Sequence, residues 1–214
     1  MIKNIKACIF DLDGTLVDSM WMWPDIDREY LNRFEIEYDD NLKNEIDGIS
    51  FHETAVYFKN KFSISDSVEK ICKDWEDMAY DKYKYEVKEK PGCKKFLEHL
   101  RSKGIKMGIA TSNKRSMVDV VLESLNMKDF FEVITTSDEV KRGKPAPDVY
   151  LTTANLLNVE PKNCLVFEDV VAGIMAGKSA GMKVCAIEDD FTKEVRQKKK
   201  ELSDYYIVDY SELL

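Results

Sequence analysis

The sequence predicts an α/β protein: a doubly wound, mainly parallel sheet with an α-helical segment inserted after the first strand. Three observations carry this reading. Short apolar runs of strand length recur at residues 5–10, 105–110, 131–135, 164–167, 182–187 and 205–208. From residue 91 onward these runs alternate with segments whose apolar residues recur at three and four positions. Between 17 and 87 only the helical spacing appears. Strands alternating with helices of this length imply parallel pairing, right-handed crossovers and helices on both faces. The expected division is 1–16 with 89–214 as the sheet core, and 17–88 as a helical insert.

In order along the chain, the run at 5–10 is apolar throughout, as a strand buried on both faces requires. Trp23-Pro24-Asp25 can start a helix, with Pro24 in its first turn, and Ile26, Tyr30 and Phe34 follow every four residues. Phe51, Ala55, Phe58 and Phe62 mark another helix. Val68, Ile71, Cys72, Trp75, Met78 and Ala79 mark one face of a further one, with Ser65 or Asp66 as its expected N-cap. Four helices with a small core of their own are expected in the insert. Pro91-Gly92 opens a helix carrying Phe96, Leu97 and Leu100, and Gly104 ends it. Met117, Val118, Val121, Leu122 and Leu125 mark the next, Pro147-Asp148 starts another that runs to Leu157, and 170–180 is a helix followed by Gly181. A charged helix precedes the last short strand.

Composition narrows the function classes. The 214 residues suffice for one sizeable core plus a small insert, and 44% hydrophobic with 34% charged residues describes a globular chain. No apolar run approaches the roughly 20 residues of a membrane span, and Met1-Ile2-Lys3-Asn4 leads straight into a strand, so no signal peptide is expected. Five dispersed cysteines and two histidines offer no zinc-site spacing and suggest a reduced, cytoplasmic protein. The net charge of −8 resides entirely in residues 18–88, with 18 acidic and 10 basic side chains, while the remainder is neutral. Such a segment repels nucleic acid and anionic membrane, so neither is an expected partner. The run Lys198-Lys199-Lys200 reads as a solvated helix end.

Polar clusters stand where the predicted strands end, which is where an open parallel sheet binds its ligands. After the first strand come Asp11 and Asp13, then Gly14. In extended chain, i and i+2 project to one side roughly 6.5–7 Å apart. The two carboxylates can therefore serve one reacting centre, provided that a cation or unequal protonation relieves their repulsion. After the second strand, Thr111-Ser112-Asn113 precedes a helix, and its hydroxyls and free N–H groups suit either a phosphate or an ordinary N-cap. After the third, Lys144 lies between Gly143 and Pro145-Ala146-Pro147, a frame that fixes one cation. After the fourth come Glu168 and Asp169, oxygen ligands of the kind Mg²⁺ prefers.

The string Asp11-Leu12-Asp13-Gly14-Thr15-Leu16-Val17-Asp18-Ser19, followed by these clusters in this order, resembles the four motifs of the haloacid dehalogenase superfamily along nearly the whole chain. The resemblance implies a Rossmann-like core with a small helical cap of the phosphoglucomutase-like branch. It makes Asp11 the nucleophile, Asp13 the general acid/base, Thr111 with Ser112 the phosphate-binding group and Lys144 the stabilising cation. Asp169, with Glu168 nearby, becomes the Mg²⁺ ligand, joined by Asp11 and the backbone carbonyl of Asp13. The implied activity is Mg²⁺-dependent hydrolysis of small phosphate monoesters, such as sugar phosphates, through an aspartyl phosphate. The alternatives are β-phosphoglucomutase-type transfer and a non-enzymatic phospho-accepting or binding module. Mutases of this kind carry a histidine where this chain has Trp23, and an arginine where Gly48-Ile49-Ser50 is followed by Phe51, with His52 one position late. A phenylalanine cannot grip a second phosphate. Met20-Trp21-Met22-Trp23, close to the nucleophile in sequence, either shape the substrate pocket or pack the cap.

Overall fold

The computed structural model describes residues 2–39, 41–46 and 49–214. Met1 and Gly48 of the stretches above lie outside them. Six parallel strands form the sheet: β1 (Ala7–Phe10), β4 (Lys106–Thr111), β5 (Val133–Thr136), β6 (Cys164–Glu168), β7 (Lys183–Ile187) and β8 (Tyr205–Ile207). Their order is β5-β4-β1-β6-β7-β8. The winding reverses between β1 and β6, and that switch point is where such sheets bind ligands. Phe10 pairs with Ile109 on one side and Phe167 on the other, so three strand ends lie level there.

Residue alternation in β1 divides the core. Cys8 and Phe10 join the apolar cluster that also holds residues of α5 (Cys93–Ser102) and α6 (Arg115–Ser124). Ala7 and Ile9 join the cluster that holds residues of α7 (Asp148–Leu156) and α8 (Val171–Ser179). Phe10 stacks on Phe167 with centroids 4.8 Å apart, and Phe96 and Tyr210 complete the group. Each such ring contributes roughly 1.5–3 kcal/mol by burial, at the base of the site. All five cysteines are buried and free.

Between β1 and α5 lie α1 (Met22–Asn32), α2 (Leu42–Ile46), α3 (Phe51–Phe62) and α4 (Val68–Tyr85). Their inward faces are the anticipated ones, with Ile26 and Tyr30, Ala55 and Phe58, and Ile71 and Trp75 buried. Ser50 and Glu53 form a reciprocal capping box at the start of α3, worth about 1 kcal/mol. No described helix is long and apolar enough to cross a membrane.

Three expectations need correction. The insert is not wholly helical at its seams: β2 (Val17–Asp18) and β3 (Lys88–Glu89) pair antiparallel, Val17 with Glu89 and Asp18 with Lys88. Two-residue strands leave no alternation to read, and only the meeting of the two chain crossings creates them. The N-cap of α4 is Ser67, whose hydroxyl accepts from the Lys70 N–H, while Asp66 accepts from the Tyr30 hydroxyl. Lys199 is fully buried rather than solvated. Its Nζ donates to the Ile187 carbonyl and the Thr192 hydroxyl, a placement that a run of three lysines conceals.

Candidate active site

The loop after β1 places the first two carboxylates. The Asp11 N–H donates to the Phe167 carbonyl at 3.0 Å, continuing the β1–β6 ladder by one residue. The Leu12 carbonyl then accepts from the N–H groups of Leu16 and Val17, which closes a tight turn. Gly14 sits in that turn at φ +74°, and a Cβ there would overlap the Asp169 carboxylate and meet Met20. Glycine is required on both counts.

Lys144 bridges the end of β1 to the end of β6. Its Nζ lies 2.6 Å from Asp11 Oδ1 and 2.6 Å from Glu168 Oε1, with all three side chains buried. Burial opposes the charge on Lys144, but the two carboxylates outweigh it, and the ammonium is held protonated. Burial pushes the Asp11 carboxyl up, against the pull of Lys144 and with the push of Glu168. Both Glu168 oxygens are engaged: Oε1 also accepts from the Tyr150 hydroxyl at 2.9 Å, and Oε2 accepts from the Val170 N–H at 3.0 Å. A Cβ at Gly173 would overlap this carboxylate, so the start of α8 leaves room for it.

Asp13 belongs to a second network. Its Oδ1 accepts from the Ser19 hydroxyl at 2.5 Å and from the Tyr83 hydroxyl at 2.6 Å, and its Oδ2 accepts from the Asn113 amide at 2.7 Å. Burial raises its carboxyl, and the three donors lower it. Tyr83 comes from the last turn of α4, so a helix of the insert touches this carboxylate directly.

Asp169 is held on one side only. Its Oδ1 accepts from the Thr15 hydroxyl at 2.9 Å, whereas Oδ2 is buried and has no hydrogen-bond partner among the described residues. Burial and the carboxylates of Glu168, Asp11 and Asp189 push it well above the usual range. Asp11, Glu168 and Asp169 each offer a carboxylate oxygen within 4.8 Å of the others. All-oxygen donors, excess negative charge and an orphaned buried oxygen fit a Mg²⁺ ion.

A cavity of about 520 Å³ joins these groups to the helical insert. Asp11, Asp13, Thr111, Ser112, Asn113, Lys144 and Asp169 form its sheet-edge wall. Thr111 is buried, with its hydroxyl accepting from the Asn113 N–H at 3.1 Å. Every residue expected from the sequence thus converges at this site; of them, Glu168 alone does not line the cavity, because Lys144 and Tyr150 cover it. The four aromatic and thioether residues after Ser19 divide: Met20 and Trp23 line the cavity, Met22 is buried in the core, and Trp21 donates to the Asp18 carbonyl. Phe51 lines the cavity, and His52 is exposed. Sequence alone assigns no functional role to Ser19, Tyr83, Asn113 or Tyr150, which the fold brings to the site. Tyr83 had a signal, because it extends the four-residue spacing of Ile71, Trp75 and Ala79. Tyr150 had none, being one aromatic in an ordinary helix face.

A model of the family described as haloacid dehalogenase-like hydrolase matches residues 8–187. A bifunctional riboflavin kinase/FMN phosphatase of Arabidopsis thaliana is 32% identical over 188 residues, which are 87% of this chain and 49% of that protein. The chain therefore spans about half the length of that relative. A phosphorylated carbohydrates phosphatase of Thermotoga maritima is 33% identical over 179 residues, covering 84% of this chain and 83% of the relative. Among solved structures, a β-phosphoglucomutase of Clostridium difficile superposes with a TM-score of 0.83 at 26% identity, over 98% of this chain and 93% of that one. With its four strand-end clusters gathered at the switch point of the sheet, the chain belongs to the haloacid dehalogenase-like hydrolases, in their β-phosphoglucomutase-like branch.

Proposed function

We propose that this chain is a Mg²⁺-dependent phosphatase that hydrolyses small phosphate monoesters through an aspartyl phosphate on Asp11. The observation that carries the reading is the buried Asp11–Lys144–Glu168 bridge beside the orphaned oxygen of Asp169. Residues 17–88 act as the cap and the remainder as the catalytic core. The relatives named as phosphatases support the reaction type.

Asp11 attacks phosphorus in line, forming the Oδ–P bond as the P–O bond to the alcohol breaks. Protonated Asp13 gives its proton to the departing oxygen, then as a carboxylate takes one from the water that attacks the acyl phosphate. That second attack breaks the Asp11–phosphate bond and restores both carboxyl groups. Lys144 faces the charge on the phosphoryl oxygens, with Glu168 and Tyr150 fixing its direction. Thr111 and Ser112 supply hydroxyl and backbone donors to the same oxygens. Asp11, Asp169 and the Asp13 carbonyl would hold Mg²⁺, which supplies charge neutralisation between the phosphate and Asp11. Glu168 is committed to Lys144, so its part is to orient that cation. Phe51 stands in the cavity lining where mutases of this kind carry an arginine, which favours the phosphatase, and Lys198 is the one cation besides Lys144 in the described lining.

The test is phosphate release from a panel of sugar phosphates, nucleoside monophosphates and p-nitrophenyl phosphate, with Mg²⁺, with chelator and with Asp11→Asn. Release that needs the metal and disappears in the variant is expected. Turnover that survives Asp11→Asn at near-normal rate would sink the nucleophile assignment. A stable, stoichiometric phosphoprotein would favour the phospho-accepting alternative.

A further inference from the structure

The cap wall of the cavity contains a carboxylate that the phosphatase chemistry does not use. Asp27 lies on α1 one turn beyond Trp23, and both line the cavity. Asp27 is 7% exposed and makes no hydrogen bond or ion pair with any described residue. A buried, unpaired carboxylate is costly to keep unless a partner arrives. The surfaces beside it are aromatic: Trp23 and Phe51 meet at 6.1 Å and Phe51 and Trp75 at 5.6 Å, edge to face, with Tyr38 also in the lining.

That wall is poorly suited to a polyhydroxylated leaving group. Among the described residues of this wall, the other polar groups are the Tyr38 and Thr54 hydroxyls and the Trp23 and Trp75 indole N–H groups, while Thr192, Glu194 and Lys198 line the cavity from the core, so a sugar buried against the cap helices would leave most of its hydroxyls without a replacement for water. It is suited to a positive charge at Asp27, because the carboxylate and the Trp23 and Trp75 rings of the same wall attract one, the Phe51 ring being already met by the Lys114 ammonium at 6.0 Å. The helical segment as a whole, with 18 acidic and 10 basic residues over 18–88, draws cations toward the same mouth. We propose that the substrates are phosphate monoesters whose alcohol carries a cationic nitrogen, with the phosphate at Lys144 and the nitrogen at Asp27. This rests on the phosphatase reading above and specifies its substrate class.

Choline and 3,3-dimethylbutan-1-ol share a shape and differ by one charge, and so do their phosphate esters. Titrating each alcohol against tryptophan fluorescence, to which Trp23 and Trp75 contribute, measures the cap wall without turnover. Choline is expected to bind the wild-type protein about tenfold more tightly than the neutral alcohol. Asp27→Asn, an isosteric change whose fold is checked by circular dichroism, should bring that ratio to within about twofold. The kcat/KM ratio for phosphocholine over 3,3-dimethylbutyl phosphate should fall in parallel. Equal binding of the two alcohols to the wild type, or a preference that survives Asp27→Asn, overturns the inference. A choline preference lost in Asp27→Asn, with no phosphate released from either ester or from p-nitrophenyl phosphate, supports the cation site and fails the phosphatase reading alone.

Discussion

The two walls of one cavity are built on opposite principles. At the sheet edge the charged groups are wired together: Lys144 bridges Asp11 and Glu168, Tyr150 and Val170 complete Glu168, and three donors hold Asp13. The Oδ2 atom of Asp169 has no hydrogen-bond partner among the described residues, where the proposed Mg²⁺ would bind. On the cap side the described lining holds one carboxylate, Asp27, which stands among aromatic rings with no partner among the described residues. A preorganised polar wall suits chemistry that is the same for every ester, because its donors need not move when charge develops. An unsatisfied carboxylate in an apolar wall suits recognition, because its partner is supplied by the ligand.

The largest break in this contrast comes from removing the cation at the wired wall. Lys144→Met leaves Asp11 and Glu168 as like charges in a buried site, and takes away the counter-charge to the phosphoryl oxygens. A fall in kcat of about 10³-fold is expected, in the range of losing one transition-state donor. Steady-state assays at saturating ester measure it. A fall of under tenfold would show that Lys144 is structural.

Gly173→Ala tests whether the wiring depends on space as well as charge. The new Cβ would overlap the Glu168 carboxylate, so either Glu168 turns from Lys144 or α8 shifts away from the sheet. Overpacking of this kind costs about 1–3 kcal/mol, or roughly 2–12 °C in a chain of this size. The melting temperature and kcat should fall together. The comparison Gly181→Ala meets no neighbour, though its φ of +74° makes it a modest backbone perturbation in its own right.

Tyr83 joins the two walls, since it stands on a cap helix and donates to Asp13. Tyr83→Phe removes one of three donors while keeping the ring that packs on Trp23. A fall in kcat of about three- to tenfold is expected, below the full roughly 1.5–3 kcal/mol of one hydrogen bond to a charged group because Ser19 and Asn113 remain as donors, with a fall in melting temperature of at most a few degrees. An unchanged kcat would show that Ser19 and Asn113 suffice to hold Asp13.

The same contrast explains what the sequence revealed. The sheet-edge wall was legible because its residues sit at strand ends, where topology converts separate positions into neighbours: Asp11, Thr111, Lys144 and Asp169 lie scattered along the chain yet must meet. The cap wall was not, because an apolar helix face reads the same whether it fills a core or lines a pocket. Met22 and Trp23 are adjacent, and one is buried while the other faces the cavity. Asp27 was invisible for a related reason: an acid among many on an acidic segment gives no sign that it is turned inward. The short β2–β3 pair was hidden by length, and Lys199 by its lysine neighbours.

The smallest expected effect concerns stability. Burial alone raises the Asp27 carboxyl from 3.8 to about 7. Its folded-state value then exceeds its unfolded one, so the folded protein binds the proton more tightly. The contribution of Asp27 to stability is fully present below about pH 4, is lost as the pH rises through about 7, and is level above that, where the charged form is buried at full cost. A carboxamide at this position does not titrate, so Asp27→Asn should remove this decline. At pH 8, without ligand, the variant should melt at least ~3 °C above the wild type, because 1 kcal/mol corresponds to about 2–4 °C here. The gap should close as the pH falls to about 4. Thermal melts of both proteins at pH 4, 6 and 8 measure it. A gap that does not change with pH would mean that Asp27 is already paired in solution. A gap that opens with pH, alongside loss of the choline preference, would show that the residue is retained at a cost to stability because it binds.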